Sequence, residues 1–175
     1  MRRSGLQHII QDYTFAKFQA TEPWQQKLKA AAQAYAQSLE GWFFFGGQSG
    51  SGKTHLCTAI CRKALHQGRQ VRYMLWRDDV SRIKAVANQG EEYNAAIAPY
   101  KHAELLYIDD LFKTGRSFDS RSPRYTAKLP TIVSSECVLD DLIQIDESLA
   151  GRIAERAKNL FELGLDRGKN YRLRG

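Results

Sequence analysis

Residues Phe43-Phe44-Phe45-Gly46-Gly47-Gln48-Ser49-Gly50-Ser51-Gly52-Lys53-Thr54 constrain this chain more than any other stretch. A short aromatic run feeds a turn of the form G-x-x-x-x-G-K-[ST], with Gly47 and Gly52 as the spaced glycines. A phosphate chain held by backbone N–H groups needs residues that reach positive φ and bare their amides, which Gly47, Gly50 and Gly52 permit without a Cβ clash. Lys53 then supplies a charge to the β- and γ-phosphates, and Thr54 a hydroxyl for Mg²⁺. A helix starting at Lys53 points its positive dipole end at the same anion. The strand-like run before the loop and the helical pattern after it are the context this motif requires, and a Gly/Ser surface loop matching by chance would lack both. The chain reads as a binder of a nucleoside triphosphate.

A second stretch supports that reading. Glu104-Leu105-Leu106-Tyr107-Ile108-Asp109-Asp110 is an apolar run ending in acids, as expected of a central parallel strand whose carboxyl end reaches a ligand crevice. In a triphosphate site Asp109 would hold Mg²⁺ through its water shell, and Asp110 would orient or deprotonate the attacking water. Two acids after an apolar run mean little alone, and gain weight from the phosphate loop upstream. Leu129-Pro130-Thr131-Ile132-Val133-Ser134-Ser135-Glu136 reads as a further strand ending in hydroxyls, within reach of a γ-phosphate or its water.

The remaining elements follow from periodicity and breakers. Residues 1–20 read as an arm, in which Tyr13 and Phe15 are either base neighbours or core contacts. Residues 21–175 read as one domain. Glu22-Pro23 opens a helix that Gly41 ends, with Trp24, Leu28, Ala31, Ala32, Tyr35 and Leu39 at helical spacing. Trp42 to Phe45 forms the first strand. Leu56, Ala59, Ile60, Ala64 and Leu65 mark the helix after the loop, stopped by Gly68. Val71 to Trp76 is a second strand, followed by a helix from Asp78, whose side chain can cap it, to Ala87. Glu91 to Ala98 forms a short helix stopped at Pro99. Val138 to Ile145 and Ser148 to Lys158 are two helical patterns, and Asn159 to Leu163 a last strand. Strand and helix alternation predicts a parallel α/β sheet with crossover helices on both faces.

The 175 residues carry a formal net charge of +7, which favours an acidic partner such as nucleic acid without establishing one. From Arg152 onward seven basic residues accompany three acidic ones. Between Leu111 and Leu129, Lys113, Arg116, Arg121, Arg124 and Lys128 are interleaved with Phe118 and Tyr125, the pattern of a nucleic-acid contact or of a solvated loop. No apolar run reaches the length of a membrane span and no signal-peptide core follows Met1-Arg2-Arg3, so no membrane partner is expected and the cytoplasm is the expected location. Cys57, Cys61 and Cys137 suit neither a disulfide framework nor zinc; Cys57 and Cys61, four apart, read as helix packing.

The phosphate loop with His55-Leu56 after it, the run from Leu105 to Lys113, the run from Leu129 to Glu136, the stretch Ile145-Asp146-Glu147-Ser148-Leu149-Ala150-Gly151-Arg152-Ile153 and the ending Asn170-Tyr171-Arg172 together resemble the DnaC-like replicative helicase loaders. These are AAA+ ATPases, and the resemblance spans roughly residues 12 to 173. It implies a P-loop NTPase fold of the AAA+ type, a three-layer α/β/α domain on a central parallel sheet. It implies an ATPase using ATP and Mg²⁺ that assembles side by side, each site completed by its neighbour, and that helps place a replicative DNA helicase on single-stranded DNA.

By the same resemblance Lys53 and Thr54 form the Walker A pair, with His55 beside them, and Asp109 and Asp110 form the Walker B pair. Ser135 lies at or beside the sensor-1 position. Arg156 or Arg152 is the arginine finger reaching a neighbouring subunit, against a plain reading as a solvated face paired with Glu155. Arg172 is the sensor-2 arginine. Longer members carry an N-terminal helicase-binding domain that this sequence is expected to lack. The segment from Phe112 to Pro130 is shorter than in relatives and contains Pro123. An IstB-type transposition helper shares the ATPase motifs and is the nearest alternative. A small P-loop kinase with an arginine-rich lid at Arg116 to Arg124, and a nucleotide-dependent adaptor that does not hydrolyse, are the alternatives of other classes.

Overall fold

A computed structural model of the chain describes residue 6, residues 10–112 and residues 123–171. In chain order the elements are α1 (Pro23–Ser38), β1 (Trp42–Gly47), α2 (Lys53–His66), β2 (Val71–Leu75), α3 (Trp76–Ala85) and α4 (Gly90–His102). They continue with β3 (Leu105–Asp109), α5 (Pro123–Thr126), β4 (Thr131–Ser134), α6 (Leu139–Arg156) and β5 (Ala157–Leu163), then a 3₁₀ turn at Arg167–Lys169. The five strands pair in parallel in the order β2-β3-β4-β1-β5. β4 therefore separates the strand that feeds the phosphate loop from the strand that ends in Asp109.

Both faces of the sheet are covered, which is why β1 is aromatic without polar alternation. Phe43 and Phe45 face α1 and α2, where they meet Tyr35, Leu56 and Ile60. Trp42 and Phe44 face α3, α4 and α6, with Val80, Ile83, Leu142 and Ile153. The result is a three-layer α/β/α domain on a central parallel sheet. Cys57 and Cys61 are buried on the inner side of α2, as helix packing. Ile10 and Phe18 join the core on the α1 and α2 side, and the Arg62 guanidinium donates to the Ile10 carbonyl at 3.1 Å. Among the described residues no helix is long and apolar enough to cross a membrane.

Several boundaries differ from those expected of the sequence. α1 ends before Gly41: Leu39 takes a left-handed conformation (φ 49°) and its N–H closes on the Tyr35 carbonyl at 2.8 Å. Trp76 opens α3 instead of ending β2, because its indole is buried edge-on against Phe112 at 5.2 Å. The acid at the start of α3 is Asp79, which accepts the Leu75 N–H at 2.9 Å, while Asp78 pairs with Arg77. Pro99 lies inside α4; burial of Ile97 and Tyr100 carries the helix past a ring that removes a ladder hydrogen bond. α6 is kinked at Asp146 (φ −155°), where the two expected helical patterns meet, and Asp146 Oδ1 caps the second by accepting the Leu149 N–H at 2.9 Å.

Arg124 corrects the reading of the basic middle segment. It is 2% exposed, and its guanidinium donates to the carbonyls of Tyr100 (3.1 Å), Ala103 (2.5 Å) and Pro130 (2.6 Å) and to the Thr131 hydroxyl (3.3 Å). This arginine joins the ends of α4, β3 and β4 and is withheld from any nucleic acid. Burial pushes its pKa down to about 10, so it stays charged at neutral pH. Lys113, Arg116, Phe118 and Arg121 lie outside the described residues.

Candidate nucleotide-binding site

The loop between β1 and α2 is fixed by its neighbours in the sheet. The Gly47 N–H donates to the Ser135 carbonyl and the Gln48 N–H to the Leu163 carbonyl, each at 3.1 Å. Those two amides are committed to the ends of β4 and β5. The Ser51 hydroxyl braces the loop from inside by donating to the Gln48 carbonyl at 3.0 Å. Lys53 is 6% exposed, and its ammonium donates to the Gly47 and Gln48 carbonyls, both at 2.7 Å. Burial lowers its pKa, while the nearby carboxylates of Glu136 and Asp110 work in the opposite direction. An ammonium held in this way is poised to turn from carbonyls to an incoming anion.

Asp109, 4% exposed, is surrounded by hydroxyls. Its Oδ1 accepts from Ser134 Oγ at 2.5 Å, Tyr107 OH at 2.7 Å and Thr54 Oγ1 at 3.4 Å, and its Oδ2 accepts from Tyr73 OH at 2.9 Å. Burial raises the pKa of both phenols and the Asp109 charge adds to it, so they remain donors. A carboxylate whose oxygens are already engaged suits contact through water. Mg²⁺ retains several waters and would fit between Thr54 and Asp109 in that manner. Asp110 takes a left-handed conformation (φ 56°), tolerated by a short polar side chain, at the turn that ends β3. That turn is pinned by Leu111 N–H donating to the Ser134 carbonyl at 2.9 Å and by Ser135 Oγ donating to the Leu111 carbonyl at 2.8 Å.

A cavity of about 310 Å³ opens above these groups. It is lined by Ser49, Gly50, Gly52, Lys53, Thr54, Asp110 and Glu136 together with Tyr13, Lys17, Phe18, Gln19, His55 and Tyr171. His55 stacks on Tyr13 with centroids 4.9 Å apart, meets Phe18 edge-on at 5.3 Å, and donates from Nε2 to the Thr14 carbonyl at 2.8 Å. Burial lowers its pKa, so the ring is neutral at pH 7. Arg152 and Arg156 are elsewhere on α6. Their guanidinium carbons lie 5.3 and 4.6 Å from the centroid of the Tyr125 ring, whose hydroxyl bonds Glu155.

A family model for the IstB-like ATP binding protein matches residues 1–119. The chain belongs to this IstB-like family of ATP-binding proteins. It is 30% identical to the phage-like element PBSX protein XkdC of Bacillus subtilis (strain 168) over 144 residues, 74% of this chain and 53% of XkdC. It is 28% identical to the replicative helicase loader DnaC of Escherichia coli (strain K12) over 113 residues, 62% of this chain and 46% of DnaC. The chain spans about half the length of these curated relatives. The crystal structure of the DnaC helicase loader aligns with a TM-score of 0.75 at 18% identity, over 91% of this chain and 99% of that one. That likeness concerns the fold, which is the AAA+ P-loop fold.

The IstB-like chain gathers most of the residues singled out from its sequence. Tyr13, Ser49, Gly50, Gly52, Lys53, Thr54, His55 and Asp110 line one cavity, and Asp109 bonds Thr54 beneath it. Phe15 is not among the lining residues and packs on the core instead. The chain closes an α-type turn there, Phe18 N–H to Thr14 carbonyl at 3.1 Å, and Phe18 reaches the cavity in its stead. Ser135 spends its hydroxyl on the Leu111 carbonyl, and Ser134 is the serine that touches Asp109. Arg172 lies outside the described residues. Sequence reasoning missed Tyr73, Tyr107, Ser134 and, as a lining residue, Glu136. Tyr107 carried a signal, since residues two apart on a strand share a face. Tyr73 and Ser134 join it through the pairing of Tyr73 with Tyr107 and of Ile108 with Val133, registers that no local pattern reveals.

Proposed function

We propose that this chain is the Mg-ATP-hydrolysing core of a DnaC-like helicase loader, working on single-stranded DNA beside a replicative helicase. The observation that carries the reading is one cavity bounded by Lys53, Thr54 and Asp110, with Asp109 held under Thr54 by hydroxyls. In this reading Ser49 to Thr54 cradle the phosphates and Lys53 meets their charge. Mg²⁺ at Thr54 and Asp109 would neutralise the β- and γ-phosphate oxygens. Asp110 takes the proton of the attacking water, and Ser134 with Ser135 fixes the Asp110 turn. Tyr13, Phe18 and His55 supply an aromatic wall for the base. Arg156 or Arg152 serves a neighbouring subunit's site, consistent with their lying off their own cavity, and Arg172 serves its own. The names of relatives, a helicase loader among them, support the biological setting.

An arginine supplied in trans is worth about 10³ to 10⁵ in rate in other phosphoryl-transfer systems, so the isolated chain is slow. The test is ATP hydrolysis against protein concentration, with and without single-stranded DNA. Specific activity rising with both is expected; a flat, DNA-independent rate would indicate a self-contained site such as a kinase. The match to an IstB-like model favours one second reading, a helper that serves a transposase. Stimulation by duplex but not by single-stranded DNA would favour it.

A further inference from the structure

Gln48 belongs to the phosphate loop by sequence, yet its side chain is absent from the lining of the cavity. Its carboxamide closes instead on the backbone of Asp166: Oε1 accepts the Asp166 N–H at 2.7 Å, and Nε2 donates to the Asp166 carbonyl at 2.8 Å. Both halves of the amide are used and the residue is 9% exposed. The two segments also approach closely on either side of Gln48. A Cβ at Gly47 (φ 107°) would stand 2.0 Å from the Leu163 carbonyl oxygen, and one at Gly50 (φ 74°) would stand 2.0 Å from Asn170 Oδ1. The Tyr171 N–H donates to the Gly50 carbonyl at 2.8 Å. At Gly47 the neighbour is backbone, so no side chain larger than hydrogen is compatible with the contact; at Gly50 the positive φ and the adjacent Asn170 carboxamide both favour glycine.

The strapped segment has a shape of its own. The Asp166 carboxylate accepts the Gly168 N–H at 2.9 Å and lies 3.4 Å from the Lys169 ammonium, closing the 3₁₀ turn. Beyond that turn Tyr171 lines the cavity, with its ring 6.1 Å from Phe18 and its hydroxyl donating to the Gln19 carbonyl at 2.5 Å. Residues 163–171 thus bridge the phosphate loop to Gln19, beside the cavity.

The geometry points to Gln48 as a positioning residue that couples the phosphate loop to residues 163–171, so that nucleotide at the loop and closure of this strap favour one another. The inference rests on nucleotide binding at the phosphate loop. A ligand that fixes the loop in one conformation fixes the Gln48 carboxamide, and through it Asp166 and Tyr171. By reciprocity, a settled strap strengthens nucleotide binding.

The full chain tests this through trypsin cleavage after Arg167 and Lys169 and through hydrogen exchange at the Asp166 and Tyr171 amides, each with and without Mg-ATP. In the wild type, nucleotide slows cleavage and exchange severalfold. Gln48→Ala makes cleavage of the nucleotide-free chain about tenfold faster, the factor expected for two lost hydrogen bonds, and removes the slowing by nucleotide. Gln48→Glu, which keeps the acceptor but sets a carboxylate against the Asp166 carbonyl, behaves like Gln48→Ala. Binding of a fluorescent ATP analogue is followed in parallel. No binding to the wild type would overturn the nucleotide site and this inference together. Binding without any change at residues 163–171, or wild-type cleavage in both Gln48 variants, would overturn the inference alone.

Discussion

At the residue scale the site is a set of charges held by groups that cannot themselves ionise at neutral pH. Lys53 rests on two carbonyls and Asp109 on four hydroxyls, so each is satisfied before any ligand arrives. Replacing Lys53 removes a buried charge along with two hydrogen bonds, and the two effects oppose one another. Lys53→Ala is therefore expected to change the stability of the nucleotide-free chain by no more than about 1 kcal/mol. It should also lose the stabilisation by ligand, which for the wild type is about 2.7 kcal/mol at a hundred times Kd. Thermal melting with and without Mg-ATP checks both parts. Tyr107→Phe removes one donor from Asp109 and leaves the ring in place. It should raise the Mg²⁺ concentration needed for half-maximal ATP hydrolysis about tenfold, as loss of an outer-shell partner does at other metal sites. A Mg²⁺ titration at saturating ATP, with an unchanged requirement in the variant, would remove Tyr107 from the site.

At the element scale the sequence declared most of what it built. β1 and β3 are apolar because both faces are covered, and the glycine-rich turn after β1 has a single common use. What stayed hidden depended on contacts between elements. Pro99 reads as a stop, yet α4 continues because Ile97 and Tyr100 are buried on its inner side. Ser134 and Ser135 are neighbours on opposite sides of the chain, and only the register of β4 against β3 decides which meets Asp109. Arg124 reads as one of a series of surface cations, and its burial follows from the carbonyls that end α4 and precede β3 and β4. Arg124→Met should leave those carbonyls without a partner and cost about 3 kcal/mol or more. Urea denaturation of the nucleotide-free chain measures this; a midpoint equal to that of the wild type would mean that water replaces the guanidinium.

At the scale of the whole molecule, the strand order sets the phosphate loop, Asp109 and the serines of β4 at adjacent strand ends, while α6 carries Arg152 and Arg156 to a separate place. Tyr125 holds both guanidiniums there at 5.3 and 4.6 Å from its ring centroid. If one of them completes a neighbour's site, Arg156→Ala binds ATP as the wild type does and hydrolyses it about 10³-fold more slowly. Mixing it with a chain altered at Asp110 should restore part of the activity, since one partner keeps an intact arginine and the other an intact carboxylate. A mixture no more active than its components would assign Arg156 to its own subunit or to the fold. The most direct test of the whole account is single-turnover ATP hydrolysis by Asp110→Asn beside ATP affinity measured on the same preparation. The expected result is affinity close to that of the wild type with hydrolysis slowed about 10²-fold or more, the loss of a general base. Hydrolysis at the wild-type rate would contradict the assignment of the cavity as the catalytic site.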